Sequence, residues 1–146
     1  MPRNAQPRKA YRPRPINAPI TAGLMGEFSE CFMIVETGLH LRVPTVAHFD
    51  ALAMLLNTIG PVAIRRFGER SPDAQAIALA AAAMNAAADR AAAEDGMAPM
   101  TDPELAAVTK GIEAAKAAIP YLDVRSLAEQ HRVVMRRMAV EKVVAA

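Results

Sequence analysis

From Thr21 onward the apolar residues return at spacings of three and four, and that rhythm confines the chain to α-helices. Leu24, Phe28, Cys31 and Val35 form the first stripe, with Met25 and Phe32 widening it. Thr21 stands where an N-cap belongs, the predicted helix runs to about Glu36, and Gly38 suits its C-terminal stop. Leu39-His40-Leu41-Arg42-Val43 then alternates apolar and polar residues. No second strand is in view to pair with it, so it reads as an extended connection.

Pro44 and Thr45 open a second helix, on which Phe49, Leu52, Leu56 and Ile59 recur before Gly60-Pro61 stops it. A short basic segment, Val62 to Phe67, follows with Arg65 and Arg66, and Arg70 lies just beyond. Helix, glycine turn and basic helix together raise a helix-turn-helix reading. The fine pattern opposes it: Leu56 stands where that motif takes a small residue, and Arg66 where it buries an aliphatic one. A basic corner between two helices is the reading we adopt.

Ser71-Pro72-Asp73 supplies a cap, a proline at the first helical position and an acid at the positive end of the dipole. The third helix should run from there to about Asp95 and stop at Gly96. Ile77, Met84, Ala88 and Ala91 can share a face, although alanine nearly all round determines it poorly. Thr101-Asp102-Pro103-Glu104 is a capping box, followed by Leu105, Val108, Ile112, Ala115 and Ile119 as far as Pro120. Asp123 caps a last helix with Val124, Leu127, His131, Val134 and Met138 on one line. Two seamed helices with a short link predict that the fourth and fifth form an antiparallel hairpin. Val140, Val143 and Val144 make a second apolar strip suited to an interface. The expected fold is all-α, a bundle of about five helices over residues 21–146.

Residues 1–20 are different in kind. Pro2, Pro7, Pro13, Pro15 and Pro19 exclude helix there and favour an extended arm, disordered when free. Arg3, Arg8, Lys9, Arg12 and Arg14 are basic, and the first acid is Glu27. The whole chain has 17 Lys+Arg and 15 Asp+Glu. With the arm's five removed the remainder has 12 against 15, so an arm of +5 precedes a body of about −3. Arginines on an extended chain hold phosphates bidentately, and Tyr11 can stack on a base. The expected partner is therefore nucleic acid or an acidic protein surface, met by Arg3, Arg8, Lys9, Tyr11, Arg12 and Arg14. Arg65, Arg66 and Arg70 are added as a second basic group. A solvated, solubilising tail is the bland alternative.

The run Arg8, Lys9, Tyr11, Arg12, Pro13, Arg14, Pro15 resembles the opening of a group of small phage and prophage proteins from proteobacteria. Pro19-Ile20-Thr21 extends the likeness, which covers about a seventh of the chain. The group has no assigned activity, and some members are labelled DNA-binding regulators. The resemblance implies a phage-like origin.

Composition bounds the rest. One domain suits 146 residues. Alanine makes up a large share of the 53% hydrophobic content, which favours closely approaching helices, and Phe28, Phe32 and Phe49 place the dense packing in the first two. Cys31 is alone, consistent with a reducing cytoplasm. No apolar stretch follows the basic start, as a signal peptide requires, and Ala76 to Ala88 is too short and weakly apolar to span a bilayer. No membrane role is expected. Cys31, His40 and His48 lack zinc spacing, His131 reads as a core or boundary histidine, and no phosphate loop, G-x-S-x-G or H-E-x-x-H occurs. A non-enzymatic binding protein without cofactor or metal is expected, as a homodimer. The rival is an assembly protein building a helical homo-oligomer, with the arm reaching a neighbouring subunit.

Overall fold

A computed structural model of the chain describes residues 18–41, 45–93 and 99–145, with side chains for 22–39, 45–93 and 99–141. Five helices follow in order: α1 Ala18–Leu41, α2 Val46–Phe67, α3 Pro72–Ala93, α4 Asp102–Ala118 and α5 Val124–Ala145. A 3-10 turn, Ile119–Tyr121, joins the last two. No strand occurs among the described residues, and the all-α bundle is as expected.

The middle of α2 is apolar on nearly every side. Ala51, Leu52, Met54, Leu55, Leu56, Ile59, Val62 and Ala63 are all buried, because α1, α3, α4 and α5 each pack against this helix. By length and composition α2 could cross a membrane, yet over half of its apolar window is buried inside the bundle, as befits a central core helix. Phe28 and Phe32 of α1 close over it, and Phe49 packs at its margin.

Two expected helix stops are not stops. Gly38 lies inside α1, which continues to Leu41, so Leu39 to Leu41 are helical and not extended. A Cβ on Gly38 would come to 2.6 Å from the His48 ring, so the glycine makes room for the neighbouring helix. His48 in turn completes the α2 cap: its Nδ1 accepts from the Thr45 amide at 2.8 Å, and its own amide donates to Thr45 Oγ1. At the other end of α1 the helix starts at Ala18, which puts Thr21 inside it and ends the arm three residues earlier than expected.

Gly60 and Pro61 likewise sit within an unbroken α2. Proline has no N–H, so the carbonyl of Asn57, four residues back, loses its helical partner. Gln130 of α5 replaces it, its Nε2 donating to Asn57 O at 3.1 Å. A tertiary contact thus repairs a break that local rules predict. Gln130→Ala should cost about 1 kcal/mol, the net worth of one such bond, measured as a shifted urea midpoint with unchanged slope. An unchanged midpoint would show that water serves that carbonyl equally well.

The hairpin is also not where the seams suggested. α3 packs along α4, whereas α5 leaves the 3-10 turn to lie against α2. The buried line of α3 is Ala74, Ala76, Ile77, Ala80, Met84 and Ala87; Ala88, expected on that face, is exposed. Gly111 of α4 meets Ala76 and Ala80 where the two helices come closest. The far end of this pair is tied by Arg90, whose NH1 and NH2 groups donate to Glu104 Oε1 and Oε2 at 2.6 and 2.7 Å. Arg90 also donates to Pro99 O, while Glu104 accepts from the Thr101 amide in the expected capping box.

Those bonds, the Arg90 fork first, draw the Glu104 carboxyl down from an ordinary 4.5 to about 2. A folded-state value below the unfolded one stabilises above the ordinary carboxylate range, and that stability is lost as pH falls from about 4.5 toward 2. After discounting for partial exposure of the pair, we expect about 2 kcal/mol to disappear across that window. Unfolding of wild type and Glu104→Gln, compared between pH 6 and about pH 2.5, checks it: the variant should lose less on acidification. Parallel losses would contradict this role for Glu104.

Candidate functional site

The arm residues Arg3, Arg8, Lys9, Tyr11, Arg12 and Arg14 lie outside the described residues. Arg65, Arg66 and Arg70 lie within them, all exposed at the turn between α2 and α3. The first two occupy the last turn of α2, where cations suit the negative end of the helix dipole. Arg65 Nε donates to Pro61 O at 3.3 Å, and the Arg66 guanidinium lies 5.8 Å from the centre of the Phe67 ring. Gly68 turns the chain with φ +90°, its amide closing on Ile64 O at 2.8 Å. Because α2 is continuous through Gly60, Arg66 belongs to a central helix, and the helix-turn-helix weighed around Gly60-Pro61 does not form.

Packing fixes which parts of the chain share this end of the bundle. Gly38 faces His48, and Phe28 touches His131 edge-on at 6.3 Å, next to the residue that bonds Asn57. α1 and α5 therefore run antiparallel to α2, and residues 27, 57 and 131 stand at about one level. At about 1.5 Å rise per residue, Ala18 and Phe67 both lie about 14 Å beyond that level, in the same direction. Along α3 and α4, the Gly111–Ala80 approach similarly brings Ala118 level with Pro72. The arm's root and the arginine corner thus lie at one end of the α1–α2 pair.

Two aromatic rings are exposed among the described residues, Phe67 at 37% beside the arginine corner and Tyr121 at 69% in the 3-10 turn. Sequence reasoning missed them. A tyrosine straight after the proline that ends a helix was the available signal. Glu69 and Asp73 share the α2–α3 turn, and Asp123 begins α5. Asp123 accepts from the Ser126 amide and hydroxyl at 3.0 and 2.9 Å, bonds that lower its carboxyl from its usual range.

Other candidates divide plainly. His131 is half-buried between α1 and α5, with Glu27 Oε2 at 3.1 Å from its Nε2 but too poorly aligned for a hydrogen bond. The position is that of the expected boundary histidine. Burial, then Glu27 and Glu30, push the Cys31 thiol up and keep it protonated. Lys116 pairs with Glu36 and lies 5.3 Å from the Phe32 ring centre, which links α4 to α1. Among the described residues no three of His, Cys, Asp and Glu converge as metal ligands. An open groove of about 420 Å³ runs between α2 and α5, lined by Val46, Ala53, Val134 and Met138 with Asp50 and Arg137 at its edge. Val140 beside it is 63% exposed, while the side chains of Val143 and Val144 lie outside the described set.

Comparison of the chain with protein-family models, curated proteins and solved structures finds no match.

Proposed function

We propose that this is a small, non-enzymatic, cytoplasmic binding protein whose basic arm and Arg65, Arg66 and Arg70 together hold a polyanion, with nucleic acid the best fit. One observation carries the reading: α1, to which the arm is joined, begins at Ala18, at the same end as the arginine corner. A ligand held by Arg8, Lys9, Arg12 and Arg14 can reach that corner without crossing the acidic body. The resemblance of Arg8 to Pro15 supports a phage or prophage origin.

Phosphate neutralisation releases counterions, so affinity must fall with salt. For about four contacts, log K against log salt should slope at about −3.6 on duplex DNA and about −2.8 on a single strand. A slope near zero would remove the electrostatic reading.

A second reading, a helical assembly protein, is favoured by α5, where Val133 and Val140 are exposed two turns apart on one side. Contiguous exposed apolar surface often marks an interface. It requires a stable homo-oligomer in the absence of nucleic acid, which the mass in solution decides.

A further inference from the structure

Neighbouring helices cover the middle of α2 on all sides but one. Val46, Asp50, Ala53 and Asn57 recur along the open side at four-three-four spacing, and all four line the groove of about 420 Å³. Val134, Arg137, Met138 and Glu141 of α5 form its other wall. Val46, at the rim, is 68% exposed. The central helix of the bundle thus keeps one strip that the chain's own described helices leave uncovered.

Arg137 fixes where the exposed valines of α5 stand relative to this groove. It follows Val133 by four residues and precedes Val140 by three, and residues at those spacings are neighbours on a helix surface. The α5 wall therefore adjoins a ridge carrying Val133 at 41% and Val140 at 63% exposure. A two-fold contact needs one patch that holds both halves of the fit, and an apolar ridge beside an apolar groove is such a patch.

Charge selects the occupant. Asp50, Arg137 and Glu141 edge the groove, while Arg136 flanks the ridge on its other side, with Arg132 and Glu129 one turn before it. Asp50, Glu129 and Glu141 against Arg132, Arg136 and Arg137 sum to zero. Nucleic acid would be repelled by half of these groups, and a strongly acidic or basic peptide would fare no better. A second copy brings the arginines beside its ridge toward a groove edged by two carboxylates, with no net repulsion between the faces.

We propose that this face is a self-association surface, on which Val133 and Val140 of each copy seat in the α2–α5 groove of the other, against Val46, Ala53, Val134 and Met138. Because such a contact is isologous, assembly closes at a dimer. The inference rests on the assembly reading and gives it an interface. It uses no residue of the arm or of the arginine corner, so it stands apart from the polyanion reading.

Sedimentation velocity of the full chain without nucleic acid should show a species of twice the chain mass that dissociates on dilution. Val46→Asp and Val140→Asp should each raise the dissociation constant by at least about tenfold, because each places a carboxylate in an apolar contact. Both positions are exposed in the separate chain, and an acid at 46 suits the positive end of α2, so helix content should not change. Met33→Asp is the control: Met33 is exposed on α1, which lines neither groove nor ridge, and its variant should dimerise like wild type. A single-chain mass at every concentration would overturn the interface and the assembly reading together. An oligomer that Val46→Asp and Val140→Asp leave intact would overturn this interface alone, and so would equal weakening by Met33→Asp.

Discussion

Gly111→Ala should lower the melting temperature by about 10 °C, the largest stability loss expected from adding one methyl group here. The new Cβ would overlap the Ala80 Cβ and come to 3.0 Å from the Ala76 carbonyl oxygen. Neither neighbour is the free end of a flexible side chain. One is a methyl fixed to its backbone and the other is the backbone itself, so α3 and α4 must move apart. That separation loosens the packing of Ala115, Ala118 and Val108, all fully buried. Overpacking of this kind costs about 3 kcal/mol or somewhat more, and the gain in helix propensity on replacing glycine returns about 1. A net loss of about 2–3 kcal/mol remains. Gly26→Ala is the matched control: it is exposed on α1, its Cβ would meet nothing within 4 Å, and it should be neutral or mildly stabilising. Equal melting of the two variants would show that α3 and α4 do not approach as closely as described.

Removal of residues 1–15 should reduce affinity for nucleic acid by at least about 100-fold at about 0.1 M salt, the scale of four lost phosphate contacts. The helices begin at Ala18, so the deletion ends before the first of them. Helix content by circular dichroism and the melting temperature should therefore stay near those of the full chain. What remains at the corner, Arg65, Arg66 and Arg70 against Glu69 and Asp73, carries a net charge of about +1, too little to hold a polyanion once salt screens it. Retained affinity would assign binding to the body and not the arm. A collapsed melting temperature would mean that the arm packs on the bundle, and the assembly reading would then lead.

The features that could be read in advance were those fixed by neighbours in sequence. The caps at Thr45, Ser71, Thr101 and Asp123 each use a side chain and an amide three residues apart, and all four form. The stripe of α5 also holds, with Leu127 and Val134 buried. What could not be read was decided across the fold. Gly38 looks like a helix terminator until His48 is placed over it, and Pro61 looks like a break until Gln130 supplies the missing donor. The face of α3 had no contrast, since an alanine helix presents similar sides all round. The partner of α4 was misassigned because a heptad seam states that a helix packs, not against which neighbour. Ala76 and Ala80 meeting Gly111 determine that, and small residues carry almost no signal in a hydrophobic pattern.

The site divided in the same way. Arg65, Arg66 and Arg70 stand out as a cluster in the sequence, as do the arm's basic residues. Their common location does not, because it depends on the antiparallel course of α1 against α2. Phe67 and Tyr121 are lone aromatics, and their exposure is a property of helix ends that only the packed bundle defines.

The central claim is that one end of this bundle, with the arm rooted there, is the binding surface. Titrating 15N-labelled full-length protein with oligothymidylate and following backbone amide shifts tests it directly. The shifts should concentrate in residues 65–70 and at the start of α1. The opposite end, around Gly38, His48 and Thr101, should stay still. Shifts centred on that opposite end or along the α2–α5 groove, or none beyond the arm itself, would contradict the account.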